Sequence, residues 1–305
     1  MKKQLLTLAL LAVAGTAGAQ QLPNGSFDES DWMDCVPWTS ENNTSKYGTQ
    51  PKSWKISNVS GIGTGTGSTI VGKEDAEGRS GKAVCVYNTP NSASTKGAIV
   101  PGYVTLGTPW NTATLAETEK DGGTFGGLSF KNKPDALRFY YKRSVTGTNT
   151  RSSVVAYLWK GTTTQKKVPG NIGAKTPGAD WRKKVDMTDR DINILNMPNG
   201  GHQGGSVKDE HKLIAKIESY TTEQPTEWTE WTIPFDYVAE NIGETPEKIN
   251  VIFSASDYFN SSNVTDGVSM SIDDVELVYY SSLAGPLYTI WLFSKPTCKA
   301  NAYSV

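Results

Sequence analysis

Ala136-Leu137-Arg138-Phe139-Tyr140-Tyr141-Lys142 sets Leu, Phe and Tyr at every second position against Arg, Tyr and Lys. A period of two marks a strand with one face in a core and the other toward water. Further on, Val154–Trp159 is apolar on both faces, Val154, Ala156 and Leu158 on one and Val155, Tyr157 and Trp159 on the other. Such a strand needs cover on both sides, or it presents Tyr157 and Trp159 to a ligand. In Trp228–Phe235, Trp231, Ile233 and Phe235 share one face, opposite Trp228, Glu230 and Thr232. Strand-like runs also cover Trp54–Val59, Lys82–Tyr87, Gly97–Leu106, Leu213–Tyr220, Ile249–Ser254 and Val268–Tyr280. Turn clusters separate them, and no strand–helix–strand rhythm or internal repeat appears. The pattern predicts an all-β sandwich of two antiparallel sheets with roughly nine or ten strands.

Composition agrees. The 305 residues include 30 Gly, 9 Trp and 13 Tyr, a turn-rich and aromatic-rich β composition. Thirty Lys and Arg stand against 31 Asp and Glu, so the formal net charge of −1 provides no field to draw nucleic acid or an anionic membrane. Two His argue against a multi-histidine metal centre, and three Cys against a disulfide-dense scaffold or a structural zinc site. Cys35 and Cys85 can pair only if their Cα atoms lie within roughly 7 Å, and Cys298 would then stay unpaired.

The two ends differ from the middle. Residues 1–19 read as a secretory signal peptide: Lys2 and Lys3, then apolar Leu5 to Val13, then Ala17-Gly18-Ala19 as the cleavage site. Position 20 is Gln rather than the Cys needed for lipid attachment at that site. The apolar stretch is shorter than the roughly 20 residues that span a bilayer, and no later run is long enough. The reading is therefore an exported protein without a membrane span, with one β domain over 20–283. Residues 284–305 contain no acidic residue and carry the apolar run Pro286–Phe293, so they form either an extra edge strand or an atypical tail. Two stretches lack periodicity: Ser60–Thr69 and the polar, Gly-rich insertion Gly161–Glu210. Long structureless loops in compact domains are often binding loops or lids. Within the second, Asp189–Met197 has the pattern of one short helix.

The order of these segments carries a resemblance. Leu22-Pro23-Asn24-Gly25-Ser26-Phe27-Asp28 with Trp32 opens the domain, and Gly267–Tyr279 (GVSMSIDDVELVY) closes it. Between them come Gly81–Tyr87, Ala136–Lys142, Trp231–Phe235 and Lys248–Ser256. Over about residues 22–281 this resembles the "putative carbohydrate metabolism domain" family of exported Bacteroidetes proteins, which look like carbohydrate-binding modules. The resemblance implies a jelly-roll β-sandwich, export and a setting of glycan use, with no established reaction. By similarity to related carbohydrate-binding sandwiches, Asp28 and Asp274 would be the ligands of a structural calcium, with Glu29 and Asp273 adjacent. The alternative is that these Asp residues cap turns or remain solvated.

Sugar rings offer C–H faces to aromatic rings and hydroxyls to polar side chains. Trp110, Trp159, Trp181 and Tyr258 lie near polar loops or strand ends, and Trp181 sits between Asp180 and Arg182 in the insertion. These six are the predicted ligand-binding residues, with Trp228 and Tyr140 on an exposed sheet face. Most Trp side chains in such a domain fill its core. No catalytic residue is assigned. Asp180, Asp186, Asp189 and Glu210 cluster in the insertion, but no pair stands out for glycoside hydrolysis. His202 and His211 lack metal-binding spacing, and there is neither a nucleophile elbow nor a phosphate-binding loop. The reading is non-catalytic glycan recognition; the alternatives are a glycoside hydrolase or lyase and a cell-surface assembly protein.

Overall fold

The computed structural model describes residues 19–28, 32–35, 47–58, 69–75, 77–90, 99–111, 122–161, 189–196, 211–260 and 263–280. The strands are β1 (Trp32–Asp34), β2 (Thr49–Pro51), β3 (Lys55–Ile56), β4 (Gly72–Asp75), β5 (Ala83–Tyr87), β6 (Thr89–Pro90), β7 (Ile99–Val100), β8 (Tyr103–Thr105) and β9 (Thr108–Asn111). They continue as β10 (Gly122–Phe125), β11 (Leu128–Ser129), β12 (Ala136–Val145), β13 (Ser152–Lys160), β14 (Lys212–Thr221), β15 (Thr229–Pro234), β16 (Asp236–Tyr237), β17 (Lys248–Ser254) and β18 (Val268–Val278). A short α-helix, Asp191–Ile194, falls inside the predicted Asp189–Met197 segment, and a single 3-10 turn covers Ala239–Asn241. All of these belong to one compact body, Gln20–Val278. The signal segment, the 284–305 tail and most of the 161–210 insertion lie outside the described residues. No helix among the described residues is long and apolar enough to cross a membrane.

Two main sheets form. One has five strands in the order β15-β12-β18-β5-β4; the other has seven, β16-β14-β13-β17-β8-β3, with β11 also pairing β17. Along the chain, β5 lies in the smaller sheet, β8 in the larger, β12 in the smaller, and β13 and β14 in the larger. Then β15, β17 and β18 alternate again. The resulting spatial orders, β5-β18-β12-β15 and β8-β17-β13-β14, are those of a jelly roll. Every pairing within the two sheets is antiparallel. The strand total exceeds nine or ten because short edge strands were invisible to alternation and because some predicted runs are broken. Gly97–Leu106 splits into β7 and β8 at Pro101-Gly102. A Cβ on Gly102 would lie 2.3 Å from the Tyr87 carbonyl oxygen and 2.5 Å from that of Val71, so only glycine lets the chain pass there.

The predicted faces of β12 hold. Leu137, Phe139 and Tyr141 are buried, whereas Arg138, Tyr140 and Lys142 are part-exposed. Phe139 meets Phe253 of the opposite sheet edge-on at 4.8 Å between centroids. Trp54 packs against the same Phe253 at 6.2 Å and against Phe27 at 5.4 Å, and Trp231 lies over Phe139 at 5.6 Å. Opposed residues of paired strands share a face. Val154 opposite Phe253 therefore assigns Val154, Ala156 and Leu158 to the sandwich interior.

The opening motif is locked to the closing strand through Gly25. Val275 N–H donates to the Gly25 carbonyl at 2.8 Å, and a Cβ on Gly25 would lie 2.0 Å from the Val275 oxygen. Beside it, β18 carries a bulge opposite Phe139, with Asp274 at φ 48°. Cys35 and Cys85 are both free, buried thiols, so the pairing left open by the sequence is not made. Cys35 instead donates to the Ile56 carbonyl at 3.7 Å.

Candidate functional site

The outer face of the larger sheet decides where a ligand can bind. Val155, Tyr157 and Trp159 of β13 point there, with Tyr103 and Ile252 from neighbouring strands. Ile194 of the short helix and Leu195 just after it cover them, and Leu213, Tyr258 and Phe259 pack around the rim, making a second small core. The helix is fastened by Asp191, which is fully buried. Its carboxylate accepts hydrogen bonds from Thr124 N–H at 3.1 Å, Ile192 N–H at 2.7 Å and the Tyr258 hydroxyl. Asn250 extends the network to Tyr157, Thr124 and Gly107. Burial pushes the Asp191 carboxyl up, opposed first by its bond from Tyr258.

This cover stops short of the sheet's end and leaves a cleft of about 420 Å³. Lys55 of β3, Thr108 of β9, the Phe125–Leu128 turn and Lys248 of β17 line it, with Gln50 and Met33 at its side. Asp189 enters from the insertion, positioned by a bridge between Arg190 and Phe125 and by Gly126 N–H donating to its carbonyl at 3.2 Å. Its side chain is fully buried, yet neither carboxylate oxygen has a hydrogen-bond partner among the described residues. Burial raises its pKa, opposed by its own backbone N–H, which lies near without meeting hydrogen-bond geometry, and by the charges of Lys248 and His211. Lys55 donates to Thr108 Oγ1 at 2.6 Å, and burial lowers its pKa. The Lys248 ammonium stands over the Trp159 ring at 5.2 Å from its centroid. A buried carboxylate without donors is costly and demands an explanation; here it borders the recess, with both oxygens closed off from solvent.

The predicted ligand residues do not converge on this cleft. Trp159 is fully buried, its indole N–H donating to the Gly126 carbonyl at 3.3 Å, so it has no ring face free for a sugar. It forms the floor under Lys248 instead. Tyr258 is half-buried, held edge-on to Tyr103 at 5.2 Å and to Phe259 at 5.0 Å while its hydroxyl binds Asp191. Trp110 lies in β9, and its side chain is outside the described residues, as are Asp180, Trp181 and Arg182 altogether. Tyr140 and Trp228 do sit on the open face of the smaller sheet. There Arg79 covers the first at 3.9 Å and Lys142 the second at 4.4 Å. Alternation gave no sign of Lys55 and Lys248, because nothing local separates them from other strand lysines.

Asp28, Asp273 and Asp274 meet around the 78–82 turn. Asp28 Oδ1 accepts from Lys82 N–H at 2.7 Å; Asp273 accepts from Arg79 N–H at 2.6 Å and Asp274 N–H at 2.7 Å. The Arg79 guanidinium pairs with Asp274 at 2.5 Å. Burial pushes Asp273 up to about 6, opposed by those two N–H groups and reinforced by Asp274 and Asp28. Calcium requires 6–8 oxygen ligands. These carboxylates accept N–H donors and a guanidinium, and among the described residues no group of three or more His, Cys, Asp or Glu is placed to hold a metal ion.

The strand order and the cleft define a jelly-roll sandwich with a recess of mixed polar and apolar lining beside its larger sheet. The chain belongs to the family described as "Putative carbohydrate metabolism domain", whose model matches residues 26–278. No curated protein matches it. Among solved structures it is similar to a "putative glycoside hydrolase" from Bacteroides thetaiotaomicron VPI-5482, at 15% identity and TM-score 0.43, over 71% of this chain and 59% of that one. A "putative glycoside hydrolase" from Bacteroides vulgatus ATCC 8482 gives 15% and 0.44, over 81% and 99%. A "putative sugar binding protein" from Bacteroides thetaiotaomicron VPI-5482 gives 12% and 0.33, over 84% and 98%. The chain thus spans 59% of the length of the first. At these scores the strand order, not the likenesses, carries the fold.

Proposed function

We propose that the chain is an exported, non-catalytic carbohydrate-binding protein whose glycan occupies the Asp189 cleft. The observation that carries this reading is the buried, unpartnered Asp189 carboxylate facing a recess in a carbohydrate-metabolism domain. Two hydroxyls of one sugar ring supply the donors that its oxygens lack, while Lys55 and Gln50 donate to the ring's oxygens. Hydrolysis calls for two carboxylates flanking the bond. Asp189 is the one carboxylate among the described lining residues, which favours binding over turnover. Export is inferred from the charged, apolar and small-residue succession of residues 1–19.

Affinity at such a site should be weak, on the order of 10–1000 μM. A glycan array run in parallel with a reducing-sugar assay tests the reading. Binding without release of reducing ends supports it. Release identifies a glycoside hydrolase, and silence in both assays favours an assembly protein.

A further inference from the structure

The charge inventory of the cleft narrows its ligand. Lys55 and Lys248 both line it, and neither is ion-paired to a carboxylate among the described residues. Lys55 spends one of its three N–H donors on Thr108, leaving two free. The same recess is lined by Asp189, a carboxylate with no donor at either oxygen. Among the described lining residues the recess therefore carries two ammonium groups against one carboxylate, whose two oxygens are unfilled acceptors.

Three ligand classes can be compared with that inventory. A neutral sugar fills Asp189 but leaves the ammonium excess without a counter-charge. A simple anion such as sulfate neutralises the lysines but brings like charge toward a buried carboxylate and supplies no donor to it. An acidic sugar meets both needs in one ring. Its hydroxyls donate to Asp189 and its anionic group accepts charge-assisted bonds from the lysines. Resting on the glycan-binding reading above, we propose that the cleft selects acidic sugar units, rings bearing vicinal hydroxyls together with a carboxylate or a sulfate ester. The anionic group lies on Lys55 and Lys248, and the hydroxyl pair on Asp189.

Isothermal titration of the purified protein tests this with four probes. They are oligogalacturonate, its carboxyl-reduced counterpart, sulfated carrageenan oligosaccharide and its desulfated counterpart. An acidic member should bind about tenfold or more tightly than its neutral partner, as expected for a charge-assisted hydrogen bond. Rising salt should narrow the gap, since the lysines remain partly open to solvent. Whichever acidic member wins distinguishes carboxylate from sulfate. Lys248→Gln should bring acidic and neutral affinities together, and Lys55→Gln should do the same if it folds by circular dichroism. Equal affinity for both members of each pair, or a gap that survives Lys248→Gln, overturns the selectivity while leaving glycan binding intact. If no glycan binds on the array either, both proposals fall.

Discussion

The Tyr258 hydroxyl, on the loop after β17, donates to Oδ2 of Asp191 at the head of the insertion's short helix. That bond closes a ring of donors around a fully buried carboxylate, together with the N–H groups of Thr124 and Ile192. It explains how a polar insertion comes to lie on an apolar sheet face: the helix and the residue just after it supply Ile194 and Leu195 as cover, and Asp191 anchors the helix. The same anchor holds Asp189, two residues upstream, at the cleft.

Removing that hydroxyl should loosen the cover without breaking the sandwich. Tyr258→Phe deletes one bond to a charged group and leaves the other donors in place, so a loss of about 1.5–3 kcal/mol is expected in urea denaturation. Glycan affinity should fall in the same variant because Asp189 loses its positioning. Unchanged affinity would mean that the cleft is independent of the helix anchor.

The junction of opening motif and closing strand makes a sharper demand. Gly25→Ala places a methyl 2.0 Å from the Val275 carbonyl oxygen, a backbone atom that cannot swing away. The two chain segments must separate, and the expected cost is about 2–4 kcal/mol, at the severe end for a single substitution. A thermal shift within about 1 °C of the parent would show that the segments do not pack as described.

Much of this fold was legible from alternation. Leu137, Phe139 and Tyr141 face the core as their spacing requires, because one buried face is enough to fix a strand's register. The site was not legible in the same way. Lys55, Asp189 and Lys248 lie on segments far apart in the chain and meet only through sheet order, to which periodicity is blind. Trp159 misled for a related reason. Its strand is apolar on both faces, and only the tertiary fold tells whether the second face meets a ligand or, as here, a helix from the insertion.

The Asp cluster near the 78–82 turn should show itself in pH dependence. Asp273 is held up to about 6, above the usual carboxylate range, so the folded state binds its proton more tightly than the unfolded chain does. Stability from this group is then fully present below about pH 4 and is lost as pH rises through about 6, by at most on the order of 2–3 kcal/mol. Asp28, Asp274 and Arg79 face the same carboxylate, so the comparison must be made against Asp273→Asn rather than from the parent's curve alone. The difference in urea midpoint between the two proteins should move in favour of the variant between about pH 4 and about pH 7. A pH-independent difference would remove Asp273 as the titrating group. In the same buffers, a chelator should leave the melting temperature unchanged while Arg79→Gln lowers it, since Arg79 pairs with Asp274 through its guanidinium and with Asp273 through its N–H.

Asp189 sets stability against function most directly. A fully buried carboxylate with no donor costs the fold free energy, on the order of 1–3 kcal/mol for an unsatisfied polar group. Asn at this position keeps the shape and removes the charge that burial disfavours. Asp189→Asn should therefore raise the melting temperature while weakening glycan binding by about tenfold or more, the pattern of a residue retained for its ligand. Thermal denaturation and titration on one preparation check both halves. A variant that loses stability would show that Asp189 serves the fold, and the cleft would then lose its strongest claim as the binding site.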